Sequence, residues 1–331
     1  MNNKRVLITG CGGMLGSAVY PYFVARCSHV LATDRYATEK WLMPLDVRDD
    51  VHLEQVFDDF RPDITLHLAA ETDLEYCEMN SKIAEDTNSR ATGTMADFCR
   101  RHNSTLVYVS TAGVFDGMKD GFYTEDDRPN PIMVYGRTKY EGEIKALRHG
   151  KTYVVRAGWM MGGGREKEKK FIYKILQQLE EGRKEIFAVN NLWGTPTYAR
   201  DFAMNLFALI DSHCYGTYHM VCEGYGTRYD VAREILSICG CSDIVLVPVG
   251  SDYFSEKYFV TRPRSEMMIN ANLRRIGCHY MRNWKGALRE YLQKYFADYI
   301  RFPEHRVSHL PDRSKTVEMH KRRSPERSLH V

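Results

Sequence analysis

The chain has 331 residues, of which 44% are hydrophobic and 27% are charged. This length and composition predict an ordinary packed core, in one large domain or two modest ones. The formal net charge is only +3 at pH 7, which is too small to indicate nucleic-acid binding without a concentrated basic face. No apolar run approaches the roughly 20 residues that span a bilayer, so we expect no membrane partner.

The first half of the chain alternates short apolar runs with helical patterns, which is typical of βαβ units and a parallel sheet. Strands are predicted at residues 5–9, 29–33, 64–67, 105–110 and 153–156. Helices are predicted between them at 14–26, 51–60, 83–102 and 134–148. The pattern predicts an α/β fold, a Rossmann-like doubly wound parallel sheet, with a first domain over residues 1–160.

After residue 156 the pattern loosens, and we predict a smaller C-terminal lobe over residues 161–300. A charged stretch opens this lobe at 165–170. Its further predicted elements are a helix at 171–179, a strand at 216–221 that returns to the main sheet, a helix at 229–238, an apolar run at 244–249 and a helical region at 284–299. Residues 303–331 are polar and basic, a composition that predicts a disordered tail.

Cysteine and histidine usage favours a cytoplasmic protein without a metal. The nine cysteines are dispersed and form no CxxC pair, which favours reduced thiols over a disulfide framework. The twelve histidines are scattered and no HExxH motif occurs, so we predict no metal site. Because residues 4–9 already read as a strand, we expect no signal peptide.

A glycine-rich turn, Thr9-Gly10-Cys11-Gly12-Gly13-Met14-Leu15-Gly16, follows the first predicted strand and opens the first predicted helix. Such a turn brings bare backbone close to a ligand, and the helix N-terminus offers N–H groups to a pyrophosphate. The spacing therefore predicts a bound dinucleotide, NAD or NADP. The residues expected at its pyrophosphate are Gly10, Gly13, Met14, Leu15 and Gly16.

An acidic residue ends the second predicted strand. Asp34 lies where the ribose-binding carboxylate of such a site is expected, and a carboxylate there favours NAD because it repels a 2′-phosphate. Arg35 beside it is suited to a 2′-phosphate instead, so NADP stays open. Further cofactor contacts are predicted at Asp46, Val47, Leu68, Ala69 and Ala70.

A tyrosine and a lysine four residues apart, Tyr135 and Lys139, lie on one face of the predicted helix at 134–148. A lysine ammonium there is expected to lower the tyrosine pKa so that the phenol can shuttle a proton, and to bind the nicotinamide ribose. The same spacing recurs at 36–40 and 253–257, but only this copy follows the fourth strand of a parallel sheet.

A hydroxyl at the end of that fourth strand completes the set. Thr111 is placed to polarise a substrate carbonyl at the cofactor crevice, while Ser110 is expected to face the interior of the sheet. The alternative is a structural hydroxyl that bonds to its own turn. We predict Thr111, Tyr135 and Lys139 as the catalytic residues.

These motifs resemble those of the extended short-chain dehydrogenase/reductases, in the dTDP-4-dehydrorhamnose reductase branch. The resemblance covers residues 4–295 and rests on the glycine turn, on the run Ser110-Thr111-Ala112-Gly113-Val114-Phe115-Asp116-Gly117 and on the Tyr-x-x-x-Lys pair. It implies reduction, by NAD(P)H, of a keto group on a nucleotide-linked sugar, in particular a 4-keto-6-deoxy sugar. Tyr135 would then be the proton donor, and Trp159, Thr197 and Arg262 would lie near the substrate.

Two residues depart from that branch. Its 4,6-dehydratases carry Asp-Glu directly after the threonine and its rhamnose reductases carry Asp-Tyr, whereas this chain has Ala112-Gly113. Dehydration is therefore not expected, and the identity of the sugar stays open. The alternatives are an epimerase that retains its NAD and a non-catalytic regulatory subunit of the same fold. A homodimer is one possible oligomeric state.

Overall fold

A seven-stranded parallel sheet organises the chain in the computed structural model, which describes residues 1–168 and 171–301. The predicted tail at 303–331 and the last two residues of the charged stretch lie outside these ranges. In chain order the strands of this sheet are β1 (Arg5–Thr9), β2 (His29–Asp34), β3 (Met43–Pro44), β4 (Ile64–His67), β5 (Thr105–Thr111), β6 (Thr152–Ala157) and β11 (Gly216–Met220). The sheet confirms the predicted Rossmann-like α/β fold.

The strand order across the sheet is β3-β2-β1-β4-β5-β6-β11. From β1 the chain first builds outward through β2 and β3, and then it crosses to the other side and continues from β4. The order therefore reverses between β1 and β4, and the crevice at the carboxyl ends of these strands is where a ligand binds in open sheets of this kind. The last strand, β11, pairs with β6 in register from Gly216 opposite Tyr153.

The helices lie on both faces of the sheet and in the C-terminal part of the chain. They are α1 (Gly16–Val24), α2 (Asp50–Phe60), α3 (Leu74–Met79), α4 (Ser81–Glu85), α5 (Ala91–Arg101), α6 (Val134–Ala146), α7 (Gly164–Lys167), α8 (Phe171–Glu180), α9 (Ala199–Asp211), α10 (Arg228–Ile238), α11 (Ala271–Arg275), α12 (Trp284–Tyr295) and α13 (Ala297–Arg301). No helix among the described residues is long and apolar enough to cross a membrane.

Small sheets join the remaining strands. These strands are β7 (Trp159–Met161), β8 (Glu185–Val189), β9 (Trp193–Gly194), β10 (Pro196–Tyr198), β12 (Gly226–Thr227), β13 (Val245–Val249) and β14 (Ser265–Glu266). β7 pairs with β10, β8 pairs with β13, and β9 lies between β12 and β14. The division of the chain at residue 160 into two domains stays a prediction.

Side chains that alternate along the strands fill two apolar cores, one on each face of the sheet. On β1, Val6 and Ile8 pack with Phe23 of α1, whereas Leu7 packs with Phe57 of α2. All are fully buried. Because both faces are covered, the sheet is rigid, and the ends of its strands hold the site residues in fixed positions.

The predicted helix at 83–102 is interrupted. A π-helical segment, Asp86–Arg90, separates α4 from α5. Its extra residue per turn places the fully buried Asn88 between two other elements: the Asn88 amide donates to the carbonyl oxygen of Glu71 and to Thr138 Oγ1, and Asn88 Oδ1 accepts from the Glu71 N–H. Asn88 thereby ties the segment after β4 to α6.

Candidate functional site

In the glycine turn between β1 and α1, packing requires Gly10 and Gly16 but does not require Gly13. Gly10 has a φ of +68°, and a Cβ there would lie 2.5 Å from the backbone of Ala69. A Cβ at Gly16 would lie 2.1 Å from the carbonyl oxygen of Cys11. At Gly13 a Cβ would meet only the Gly10 carbonyl oxygen, at 3.4 Å. The face of Gly13 is thus open to a ligand.

The first helix begins without a side-chain cap: its N-cap residue, Leu15, makes no side-chain hydrogen bond to the helix. An uncapped N-terminus leaves backbone N–H groups for an anionic ligand. Met14 and Leu15 are half-buried on this turn. The bare glycine and the uncapped helix end together fit the pyrophosphate of a dinucleotide.

The carboxylate that ends β2 is held by two backbone groups. Asp34 Oδ2 accepts from the Gly12 N–H at 2.9 Å, and Asp34 Oδ1 accepts from the Tyr36 N–H at 3.0 Å. The hydrogen bond between Gly12 and Asp34 was not predicted. The second glycine beside Gly13 was the only feature of the sequence that could have indicated it. This hydrogen bond fixes the carboxylate against the glycine turn, where a ribose hydroxyl beside the pyrophosphate would meet it.

The neighbouring arginine is engaged elsewhere. Arg35 Nε lies 3.4 Å from Asp46 Oδ2, and the side chain of Arg35 is half exposed. Asp46 also accepts a bidentate pair from Arg48, with contacts of 2.6 and 2.9 Å. The hydrogen bond from Arg48 lowers the pKa of the Asp46 carboxyl. Asp46 thus partly neutralises both guanidinium groups.

The other residues predicted at the cofactor lie beside this crevice. Leu68, Ala69 and Ala70 directly follow β4 and are half-buried, and the Leu68 N–H donates to the Thr9 carbonyl oxygen. Ala69 is also the residue against which Gly10 packs. Val47 differs because its side chain is buried in the core between the sheet and α2, and so it offers no side-chain face to a cofactor.

Thr111 and Tyr135 come together at the carboxyl end of β5. Thr111 is the last residue of that strand, and its Oγ1 accepts from the Gly113 N–H at 3.1 Å. Burial raises the pKa of the half-buried Tyr135 to about 12, and a hydrogen bond with Thr111 opposes that rise. The phenol therefore stays protonated through the neutral range and can donate a proton.

Lys139 lies one turn further along α6 and is only 2% exposed. Its Nζ is 4.1 Å from the centroid of the Tyr108 ring. Burial lowers the pKa of Lys139 to about 7, and the charge of Glu143 opposes that fall. The expectation that the ammonium lowers the pKa of Tyr135 was wrong: the pKa of Tyr135 is raised, because desolvation outweighs the favourable contacts.

A buried ion pair underlies this face of α6. Arg156 on β6 donates to both carboxylate oxygens of Glu143, at 3.0 and 2.8 Å, and Ser110 Oγ donates to Glu143 Oε1 at 2.5 Å. Glu143 is 1% exposed and Arg156 4%. Ser110 thus faces inward, as predicted. The pair holds α6, with Tyr135 and Lys139, against two strands of the sheet.

The three residues predicted near a substrate lie in different surroundings. Trp159 Nε1 donates to Glu266 Oε2 at 2.7 Å, and the Arg228 guanidinium stacks 3.9 Å from the Trp159 ring centroid. Arg262 pairs with Glu75 of α3 at 2.7 Å. Thr197 is fully buried and its hydroxyl donates to the Thr195 carbonyl oxygen, so it presents no side-chain face to a ligand.

Two residues around Trp159 were not predicted. Glu266 lies four residues after Arg262, and its charge contributes to the raised pKa of Tyr135. Arg228 opens α10 and carried no motif. Only the small β12-β9-β14 sheet brings these residues to the site. Among the described residues, no cluster of His, Cys, Asp or Glu side chains has the arrangement of a metal site.

The Rossmann-like sheet, the glycine turn at its crevice and the hydroxyl, phenol and amine beside that turn define an NAD(P)-dependent oxidoreductase of the extended short-chain dehydrogenase/reductase type. The chain belongs, over residues 4–297, to the family described as RmlD substrate binding domain.

Several similar proteins are named as reductases of dTDP-linked sugars. The dTDP-4-keto-6-deoxy-D-glucose reductase of Streptomyces niveus is 31% identical over 286 residues, which are 86% of this chain and 95% of that protein. The crystal structure of dTDP-4-dehydrorhamnose reductase from Bacillus anthracis in complex with NADP has a TM-score of 0.80 at 28% identity, covering 88% of this chain and 99% of the other.

A relative of another kind is the methionine adenosyltransferase 2 subunit beta of Danio rerio. It is 29% identical over 252 residues, which are 74% of this chain and 77% of that protein.

Proposed function

We propose that this protein is an NAD(P)H-dependent reductase of the keto group on a dTDP-linked 4-keto-6-deoxy sugar. The observation that carries the proposal is the Tyr135 phenol beside the Thr111 hydroxyl, at the end of β5 in a sheet whose glycine turn fits a dinucleotide. The relatives named as reductases of such sugars support the substrate class.

In this mechanism the chain binds, orients and supplies one proton. When bound, the reduced nicotinamide supplies a hydride to the keto carbon. Thr111 donates a hydrogen bond to the keto oxygen, and Tyr135 gives that oxygen its phenolic proton as negative charge develops there. Lys139 would bind the nicotinamide ribose, and its ammonium would stabilise the Tyr135 phenolate once the proton has left. Gly13 leaves room for the pyrophosphate, and Gly10 and Gly16 allow the close packing that shapes the turn.

The test is reduction of dTDP-4-keto-6-deoxy sugars by the purified protein with NADH or NADPH, followed by loss of nicotinamide absorbance. Tyr135→Phe should lower kcat by about 10²- to 10⁴-fold, because it removes the proton donor, and should leave coenzyme binding unchanged. Tyr253→Phe is the matched control, since Tyr253 has the same spacing to a lysine but is exposed in a short 3-10 turn. Isomerisation of the sugar without net coenzyme consumption would instead establish the epimerase.

For the coenzyme we propose that NAD(H) is preferred over NADP(H). Asp34 is held against the glycine turn, where it would meet the adenosine ribose, and Arg35 is drawn toward Asp46. Asp34→Ala removes the charge that repels a 2′-phosphate, so it should shift the ratio of kcat/KM for NADPH to that for NADH upward by about tenfold or more. Arg35→Ala should shift that ratio downward. A ratio unchanged in both variants contradicts this assignment.

A non-catalytic regulatory subunit is the second candidate, favoured by the likeness to the methionine adenosyltransferase 2 subunit beta. It predicts that Tyr135→Phe leaves the biological activity of the chain untouched. The reductase predicts that the same change abolishes it.

The organisation of the chain completes the proposal. Residues 1–160 form the dinucleotide-binding domain, and residues 161–300 form the lobe that binds the nucleotide sugar. We place the protein in the cytoplasm, since all nine of its cysteines are free thiols in the part of the chain that the structure describes.

A further inference from the structure

A carboxylate from the C-terminal part of the chain faces the position at which this chain departs from its family branch. Gly113 has no side chain where the branch carries tyrosine or glutamate. A Cβ at Gly113 would lie 3.5 Å from Thr111 Oγ1 and 3.6 Å from Glu266 Oε1. The methyl group of Met133 lies 3.3 Å from the same point, so the hydroxyl, the carboxylate and this methyl border one small space at Gly113.

The Trp159 indole positions this carboxylate, and two further residues position the indole. Trp159 Nε1 donates to Glu266 Oε2 at 2.7 Å, and Arg228 stacks on the Trp159 ring. Gly194, opposite Glu266 in the β9–β14 register, lies so close under Trp159 that a Cβ would be 2.2 Å from the indole. Trp159 is thus clamped between Gly194 and Arg228, and its N–H fixes the direction of the Glu266 carboxylate.

The charge of Glu266 is felt by the groups around it. It raises the pKa of the Arg228 guanidinium against the lowering that burial causes, and it contributes to the raised pKa of Tyr135. Because the carboxylate and the Thr111 hydroxyl both border Gly113, Glu266 is part of the same cleft as Thr111 and Tyr135.

We propose that Glu266 is a specificity-determining residue, whose carboxylate accepts a hydrogen bond from the hydroxyl on the sugar carbon next to the keto group. The inference rests on the proposed function and deepens it, because it selects 4-keto sugars that carry a hydroxyl at carbon 3. When the keto oxygen of a sugar lies at Thr111 and Tyr135, the 3-hydroxyl of that sugar lies next to it. The Glu266 carboxylate, which borders the space at Gly113, can then accept a hydrogen bond from this hydroxyl. A site built around such a hydroxyl rejects the analogue that lacks it.

The kinetic test compares dTDP-4-keto-6-deoxyglucose with its 3-deoxy analogue, dTDP-4-keto-3,6-dideoxyglucose. Wild-type protein should show kcat/KM about 10- to 100-fold higher for the first, the effect of one hydrogen bond to a charged group. Glu266→Gln should lose most of this preference by lowering kcat/KM for the hydroxylated sugar alone. Its amide oxygen can still accept from Trp159, so the fold is expected to survive. Glu181→Gln, at an exposed ion pair with Arg183, is the control.

A binding measurement separates this inference from the proposed function. By calorimetry, dTDP linked to a 6-deoxyhexose with a 3-hydroxyl should bind wild-type protein more tightly than dTDP alone. Glu266→Gln should remove that gain and leave the affinities for dTDP and for the coenzyme unchanged. If no keto sugar is reduced, the proposed function fails while this arm still decides the role of Glu266. The inference is overturned if the wild type shows neither the preference for the 3-hydroxyl sugar nor the gain in affinity. It is also overturned if Glu266→Gln leaves them intact.

Discussion

At the scale of single residues, the site combines a phenol that keeps its proton with an amine that readily loses one. Burial moves the pKa of Tyr135 up to about 12 and that of Lys139 down to about 7. Both shifts have the same cause, since burial disfavours whichever form is charged. Tyr135 therefore starts a reduction as the neutral donor that the chemistry needs, whereas Lys139 compensates the phenolate only in its protonated form.

The lowered pKa of Lys139 predicts how the stability of the protein changes with pH. Its pKa is lowered from the 10.5 of an exposed lysine to about 7, so between these values the unfolded chain binds a proton that the folded chain does not. The free energy of unfolding should therefore rise with pH, relative to Lys139→Met, by at most about 1.4 kcal/mol per pH unit between about pH 7 and pH 10. Urea unfolding of both proteins across this range measures it.

The same measurement carries its own control, because below about pH 7 Lys139 is charged in both states and the difference between the two proteins should become constant. A stability difference that is constant across the whole range would mean that Lys139 stays charged in the folded protein. The Lys139 ammonium would then be available to stabilise the Tyr135 phenolate over the whole pH range.

At the scale of elements, the turn between β1 and α1 separates the needs of folding from those of binding. Gly10→Ala should destabilise the protein by a few kcal/mol, because its φ is positive and Ala69 lies against it. Gly13→Ala should leave the free energy of unfolding nearly unchanged and weaken coenzyme binding by about tenfold or more, since its Cβ would occupy the ligand's side. Urea unfolding and coenzyme titration of both variants distinguish the two effects.

The helix that carries Tyr135 and Lys139 depends on the Glu143–Arg156 pair. Arg156→Met should lower the free energy of unfolding by about 3–5 kcal/mol, because it leaves a buried carboxylate unpaired. The double change Glu143→Leu with Arg156→Met should restore much of that loss. The exposed pair Arg183–Glu181 serves as the comparison, and breaking it should cost about 1 kcal/mol or less. A single variant as stable as the wild type would show that the pair does not hold α6.

At the scale of the whole molecule, the site is assembled from distant parts of the chain. The glycine turn lies near residue 10, the phenol at residue 135, and Glu266 comes from a two-residue strand more than a hundred residues later. Arg262, a few residues before that strand, pairs with Glu75 of α3 and so connects the C-terminal part of the chain to the first half. The coenzyme and sugar halves of the site are therefore held together by tertiary contacts.

Local patterns were sufficient for the longer strands of the main sheet, but the two-residue β3 was not predicted. The five predicted strands of the first half coincide with β1, β2, β4, β5 and β6 to within one residue at each end, because buried parallel strands are short apolar runs with clear flanks. The helix at 83–102 was predicted without its π-helical segment, since periodicity does not reveal one extra residue in a turn. β9, β12 and β14 were missed because two residues carry no period.

The amino-acid sequence by itself determined the fold class, the glycine turn, Asp34 and the spacing of Tyr135 to Lys139. Each depends on residues close together in the chain, where spacing translates directly into a shared face or a strand end. The tertiary structure alone decided the rest: the raised pKa of Tyr135, the engagement of Arg35 with Asp46 and the arrival of Glu266 beside Gly113. Desolvation and contacts between distant residues exist only once the chain has folded, so local spacing carries no record of them.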